Sequence, residues 1–307
     1  MNRRWEVALF GDSFVDHVLS GFPHWPQPGE EAFAQNYFRE AGGGAVNTAC
    51  GLARLGHKSA LFSIAGHEDG DWLIHRIQNF GVDTSETRRG DLPTGLTVSV
   101  SAPEERAFFT YRGVNAALDT TLRDPSTVER LSEAQHVHFA FAPEREPAIA
   151  VFEKLRAAGC AVTLDTGWHE DWLRDPANLE VIRRTDVFFP NEREAQAITG
   201  TKDPAGMLDF FARHGAACVA IKLGKTGAVM FQGGVNYECR RFAVDAVDTT
   251  GAGDAFNSGF IHALLDRQPP QRCLEIACFT GALSTRAAGA LQSLATREDL
   301  EARSWPR

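Results

Sequence analysis

The stretch Asp248-Thr249-Thr250-Gly251-Ala252-Gly253-Asp254-Ala255-Phe256 decides how the rest of this chain is read. A strand-like run, Arg241–Val247, leads into it. An apolar helical pattern leaves it, with Phe256, Phe260, Ile261, Leu264 and Leu265 at helical spacing. Between the two, Gly251-Ala252-Gly253 carries almost no side chain, so its backbone can approach a ligand closely. The unpaired N–H groups at the helix start, and the positive end of its dipole, favour an anion there. Asp254 stands at the edge of that hole. A carboxylate beside a bound phosphate makes sense as a base that takes a proton from an attacking hydroxyl. Gly-x-Gly before a helix is also an ordinary turn, and an aspartate at that position is also an ordinary cap.

The bulk properties are ordinary for a soluble globular protein. The chain has 307 residues, 43% of them hydrophobic and 23% charged, with a net charge of −9. No basic excess exists to meet a nucleic-acid backbone or an anionic membrane. Six cysteines, at positions 50, 160, 218, 239, 273 and 278, form no Cys-x-x-Cys pair. They read as buried free thiols in a reducing, cytoplasmic compartment. Neither a signal peptide nor a membrane-spanning run is legible. The histidines form no metal set along the chain, and His136 and His138 read as core or edge residues of a strand.

Short apolar runs alternate with helical patterns. Strands are expected at 7–10, 60–64, 137–141, 161–164, 187–189 and 218–221. Helices are expected at Ala45–Leu55, Asp71–Phe80 and Pro147–Ala158, the first two stopped by Gly56 and Gly81. This rhythm predicts an α/β fold with a central, mostly parallel sheet flanked by helices. Two segments break it. Residues 22–39 are rich in proline, aromatic and polar residues. Residues 94–112 alternate as a hairpin, 96–100 and 107–111, around Pro103-Glu104-Glu105. Trp168 and Trp172, after the strand ending at Asp165, read as packing residues, with Trp168 able to face a pocket mouth.

The complete Asp-Thr-Thr-Gly-Ala-Gly-Asp string resembles the C-terminal signature of the ribokinase (PfkB) family of sugar and nucleoside kinases. The resemblance implies that Asp254 is the catalytic base and that Gly251, Ala252 and Gly253 form the anion hole. It implies a ribokinase-like fold over residues 1–307, with a discontinuous β-sheet lid at about 17–39 and 92–113. Other stretches match the family in order, from Gly11 to about Ser293. Gly11-Asp12-Ser13-Phe14-Val15-Asp16 follows the first strand, where carboxylates can grip sugar hydroxyls. Its Asp16, with Asp12 as a second contact, corresponds to the family's substrate aspartate. Gly42-Gly43-Gly44-Ala45-Val46-Asn47 is similar to the N-terminal signature, which assigns Gly43 and Asn47 to the sugar. The chain departs from many members at Gly44, where they carry lysine. Arg112 ends the expected lid and reads either as an exposed arginine or as a contact to an anionic acceptor.

Pro190-Asn191-Glu192-Arg193-Glu194 resembles the family's Asn-x-x-Glu motif. It implies Asn191 near the phosphates and Glu194 ordering Mg²⁺ through water. The same residues read as a helix cap and its capping-box partner, and both roles are compatible. Lys222, Gly224 and Gly227 match the nucleotide loop. Gly289-Ala290-Leu291-Gln292-Ser293 resembles a K⁺ loop closed by Asp248 and Thr250, with Gly289 and Ser293 as its own contributions.

The resulting expectation is an ATP-dependent kinase acting on an unphosphorylated sugar, with Mg²⁺ and K⁺ as cations. A nucleoside acceptor is the alternative, with Phe14 stacking on its base. A non-catalytic relative would be expected to lose the base or the anion hole, and both are present here. An exposed edge of the lid could pair with a second copy to give a homodimer.

Overall fold

The computed structural model describes residues 3–102 and 106–305. Among the described residues the strands are β1 (Trp5–Gly11), β2 (Phe14–Ser20), β3 (Asn36–Gly42), β4 (Ser59–Phe62), β5 (Ile64–Ala65), β6 (Arg88–Arg89), β7 (Gly95–Ser101), β8 (Arg106–Tyr111), β9 (Ala134–Ala140), β10 (Ala161–Asp165), β11 (Val187–Phe188), β12 (Cys218–Lys222), β13 (Gly227–Gln232) and β14 (Val235–Arg240). Eight of them form one sheet in the order β14-β13-β12-β11-β10-β9-β1-β4. Pairing is parallel from β4 across to β12, and antiparallel through β13 and β14.

Burial on both faces explains why the inner strands read as continuous apolar runs rather than alternating ones. In β1, Ala8 and Phe10 point into one helical layer and Val7 and Leu9 into the other. The helix Arg145–Ala157 packs Ala148, Val151, Phe152 and Leu155 on the first side. The helices Gly44–Arg54 and Ala252–Leu265 lie on the second. The latter is clamped between two clusters, with Ile261 in one and Phe256 and Phe260 in the other. Each such buried side chain contributes about 1.5–3 kcal/mol. The helices at 44–54 and 70–78 fall within two residues of expectation. The third begins at Arg145, which puts Pro147 in the first turn, where a missing N–H leaves no intrahelical bond unmade.

A smaller separate sheet has the order β3-β2-β7-β8. Its β7–β8 pair follows the hairpin pattern, with Leu96 opposite Tyr111 and Val100 opposite Ala107. The expected turn at Pro103-Glu104-Glu105 lies outside the described residues.

Two local expectations are corrected. The run 60–64 is not one strand. It breaks at Ser63, whose hydroxyl donates to the Gly11 carbonyl (2.7 Å), and Ile64–Ala65 then pairs with β6. Arg241–Val247 is not a strand either. The ladder ends where Arg240 pairs with Gly227, and the chain continues irregularly until Val247 N–H bonds the Thr285 carbonyl (2.7 Å).

Candidate active site

The chain leaves β1 at Gly11, between β4 on one side and β9 on the other. Such a switch in strand order opens a crevice beyond the carboxyl ends of the strands. Asp12 stands in it. Buried Asn115 fixes this loop, accepting from Ser13 N–H (3.2 Å) and donating to the Ser13 carbonyl (2.8 Å). Burial pushes the Asp12 carboxyl up to about 6, while nearby Arg112 pulls the other way. Its Oδ1 is buried and has no hydrogen-bond partner among the described residues. Asp16, on β2, lies against Gly42 so closely that a Cβ at Gly42 would overlap its carboxylate. The Phe14 ring fills the space beside Gly95 in the small sheet, where a Cβ at 95 would overlap it.

Gly43 precedes the helix Gly44–Arg54, which presents Asn47 on its first turn. Asn47 Nδ2 donates to Asp254 Oδ2 at 2.8 Å, across 207 residues of sequence. Asp254 belongs to the first turn of the helix Ala252–Leu265, which has no side-chain cap. Gly251 starts that turn with φ 71°, and a Cβ there would overlap Ala290. Glycine is therefore required at this point. Burial pushes the Asp254 carboxyl up to about 7. The Asp165 charge and, more weakly, Asp16 push the same way, against the Asn47 bond and Lys222. A carboxylate with that value is matched to proton transfer near neutrality.

Beneath Asp254 lies a charged cluster that the motifs only partly announce. Lys222, at the end of β12, donates to Asp165 Oδ2 at 2.6 Å. Asp165 also accepts from Asn257 Nδ2 (2.6 Å) and Gly167 N–H (3.0 Å). Burial alone would raise the Asp165 carboxyl, but Lys222 and these donors outweigh it and hold it below the usual range. Asp165 and Asn257 have no place in the sequence reading of the site. The available signal was a carboxylate at the carboxyl end of a buried strand, the same signal that selected Asp12.

Asn191 and Glu194 form a reciprocal capping box: Glu194 N–H bonds Asn191 Oδ1 (3.0 Å) and Asn191 N–H bonds Glu194 Oε2 (2.7 Å). Glu194 Oε1 accepts from Asn191 Nδ2 (2.5 Å). With both oxygens engaged, the carboxylate suits contact with a hydrated cation better than direct ligation. Burial, then Asp165, raises Glu194 to about 7, so a divalent cation nearby would favour its ionised form.

Asp165, Asn191, Glu194, Lys222, Gly224, Gly227, Gly253 and Asp254 all line one cleft of about 490 Å³. The far wall is apolar, with Phe242, Val244 and Ala246. At its rim, Asp248 Oδ1 accepts from Thr250 N–H (2.9 Å) and hydroxyl (2.7 Å), and Oδ2 from Gly289 N–H (2.8 Å). Asp248, Thr250 and Gly289 are thereby joined, while Ser293 is half-buried four residues further along. Trp168 is exposed, and Trp172 is buried with its Nε1 donating to the Pro143 carbonyl (2.8 Å). His136 and His138 are buried on Thr163. All six cysteines are free and buried. Among the described residues no helix is long and apolar enough to cross a membrane.

The profile of pfkB family carbohydrate kinases matches residues 7–297. A 2-dehydro-3-deoxygluconokinase of Bacillus subtilis is 32% identical over 84% of this chain and 84% of its own length. An ATP-dependent ribose-1-phosphate kinase of Halopiger xanaduensis is 33% identical over 93% of this chain and 90% of its own. The crystal structure of a ribokinase from Thermotoga maritima superposes with a TM-score of 0.81 at 26% identity, covering 97% of this chain and 98% of that one.

Proposed function

The chain belongs to the pfkB family of carbohydrate kinases, and from that premise we propose that it transfers the γ-phosphoryl group of ATP to a hydroxyl of an unphosphorylated sugar. Asp254 is the general base, and the observation that carries this reading is its position. It stands at an uncapped helix N-terminus, held by Asn47, with Asp16 of β2 close enough for its charge to act on it and the large cleft beside it. The acceptor contacts are Asp12, Asp16, Gly43 and Asn47. The nucleotide lies along Asn191, Lys222, Gly224 and Gly227.

In the transfer, the acceptor oxygen forms a bond to the γ-phosphorus as the bond from phosphorus to the ADP oxygen breaks. The hydroxyl proton passes to Asp254 and then to solvent. Backbone N–H groups of Gly251 and Gly253, that of Ala252 once it leaves the Thr249 carbonyl it bonds at 3.2 Å, and the dipole behind them stabilise the charge on the phosphoryl oxygens. Lys222, released from Asp165, is a side-chain cation within reach of that site, its Nζ only 3.4 Å from where a Cβ of Gly253 would stand, and Lys225 and Arg241 line the same cleft. Glu194 would hold Mg²⁺ through water, and that ion would supply charge neutralisation for the polyphosphate. Asp248, Thr250, Gly289 and Ser293 would hold K⁺, which would supply fixed positive charge beside the anion hole. The small sheet covers the acceptor, and its edges β3 and β8 offer a surface for a homodimer. Free buried thiols suit a cytoplasmic enzyme.

Carboxylates at 12 and 16 favour a neutral polyol over a sugar phosphate, because they accept from hydroxyls and repel a dianion. Arg112, whose charge acts on Asp12, supports a second reading in which the acceptor is a sugar acid. Turnover of ATP over a panel of free sugars, sugar acids, sugar phosphates and nucleosides separates these. Asp16→Ala should raise the acceptor KM strongly and leave the KM for ATP nearly unchanged. Efficient use of sugar phosphates alone would overturn the acceptor assignment.

A further inference from the structure

We propose that His57, His262 and Asp266 form a binding site for a divalent transition-metal ion, typified by Zn²⁺, on the opposite end of the helix that carries Asp254. Read along the chain, the histidines make no metal set, since 205 residues separate these two. The fold joins them. His57 follows the helix Gly44–Arg54, and His262 and Asp266 end the helix Ala252–Leu265. One donor atom from each of the three lies within 4.8 Å of the others.

The geometry argues for a cation. His57 Nε2 and His262 Nδ1 face each other at 2.7 Å. His57 Nδ1 lies 3.2 Å from Glu6 Oε1, and a ring that donates there turns its Nε2 lone pair toward His262. Asp266 Oδ2 stands 3.6 Å from His262 Nε2, too far for a hydrogen bond, so its oxygens stay available to an ion. A metal ion between the rings takes the place of the single hydrogen bond that joins them and draws in the third donor.

The surroundings suit a metal. Both rings are buried, while the side chains of Glu6 and Asp266 are 45% and 41% exposed and open a path from solvent. Glu6 on His57 Nδ1 is the outer carboxylate that orients a metal-bound imidazole. The site also sits at a helix C-terminus, whose dipole favours positive charge. Lys58, whose N–H bonds Glu6, and Arg297, which bears on Glu6 and His262, are the neighbouring positive residues and offset part of the carboxylate charge. Tetrahedral Zn²⁺ with Zn–N of about 2.0–2.1 Å needs its nitrogens about 3.3 Å apart, a separation of the rings by well under 1 Å. Asp266 and a water complete the coordination.

The test uses the full chain without nucleotide, in excess Mg²⁺ to occupy oxygen-ligand sites. One equivalent of Co²⁺ should give the intense visible absorption of a low-coordinate nitrogen site, and Zn²⁺ should displace it and raise the Tm. His57→Gln and His262→Gln should abolish the band, Glu6→Gln should weaken Zn²⁺ binding roughly 10–100-fold, and His24→Gln at an exposed site should change nothing. A wild-type chain that develops no such band, or a His262→Gln chain that keeps it, overturns the proposal. The first result would leave an ordinary hydrogen bond between the two rings, and it is decisive even if a variant fails to fold.

Discussion

Gly251→Ala probes the joint on which the proposed anion hole rests. Gly251 has φ 71°, a conformation that costs an L-residue about 1–2 kcal/mol. A Cβ there would overlap the side chain of buried Ala290 and lie 3.1 Å from its Cα. Overpacking of that kind costs about 1–3 kcal/mol. Together they predict a loss of stability of about 2–5 kcal/mol. The strain is relieved only by moving the turn away from Ala290, which carries the N–H groups of residues 252–254 and the Asp254 carboxylate with it. Misplacement on the scale of an ångström lowers turnover by about 10²-fold. Urea unfolding and steady-state kcat measure the two effects. Ala290→Gly in the same chain removes the overlap, so it should recover the packing part and leave the backbone part. A Gly251→Ala chain of unchanged stability and turnover would refute the geometry. Failure of Ala290→Gly to restore any stability would refute the assignment of the overlap.

Three further outcomes concern the same cleft and its rim. Asp254 rises from 3.8 to about 7 in the folded protein, so kcat/KM should fall about tenfold per unit below that value and level off above it. The linked stability has the opposite sense: protons favour the fold, so this contribution is present below about 3.8 and lost as pH rises through about 7. Asp254→Asn should therefore melt higher than wild type at alkaline pH, with the gap closing in acid, as differential scanning calorimetry of the apo-protein can read. At fixed ionic strength, replacing Na⁺ or a bulky organic cation by K⁺ should raise kcat without altering ATP affinity, and equal rates in those salts would remove the cation from the account.

The parallel core was legible because burial on both faces writes strands as apolar runs, as in β1 and β12. The capping box at Asn191 and Glu194 was legible because its chemistry is local. The β13–β14 hairpin went unread despite its signal, the Gly233-Gly234 turn with both φ values positive. Arg241–Val247 looked like a strand because residues alternate there, yet alternation cannot say whether a neighbouring strand exists to pair with. The partners of Asp254 were the hardest to read. Asn47 and Asp165 reach it from 207 and 89 positions away, through a sheet order that no local pattern encodes. The same limit hid the meeting of His57 with His262.

The central claim is that Asp254 takes the acceptor proton while backbone groups hold the phosphoryl oxygens. Its most direct test is Asp254→Asn, with kcat measured on the best acceptor of the panel and ATP affinity measured by calorimetry. Asparagine keeps the shape and can still meet Asn47, but it cannot accept the proton. The account predicts a fall in kcat of roughly 10²–10⁴-fold with ATP binding preserved. Near-normal turnover in that variant would contradict it.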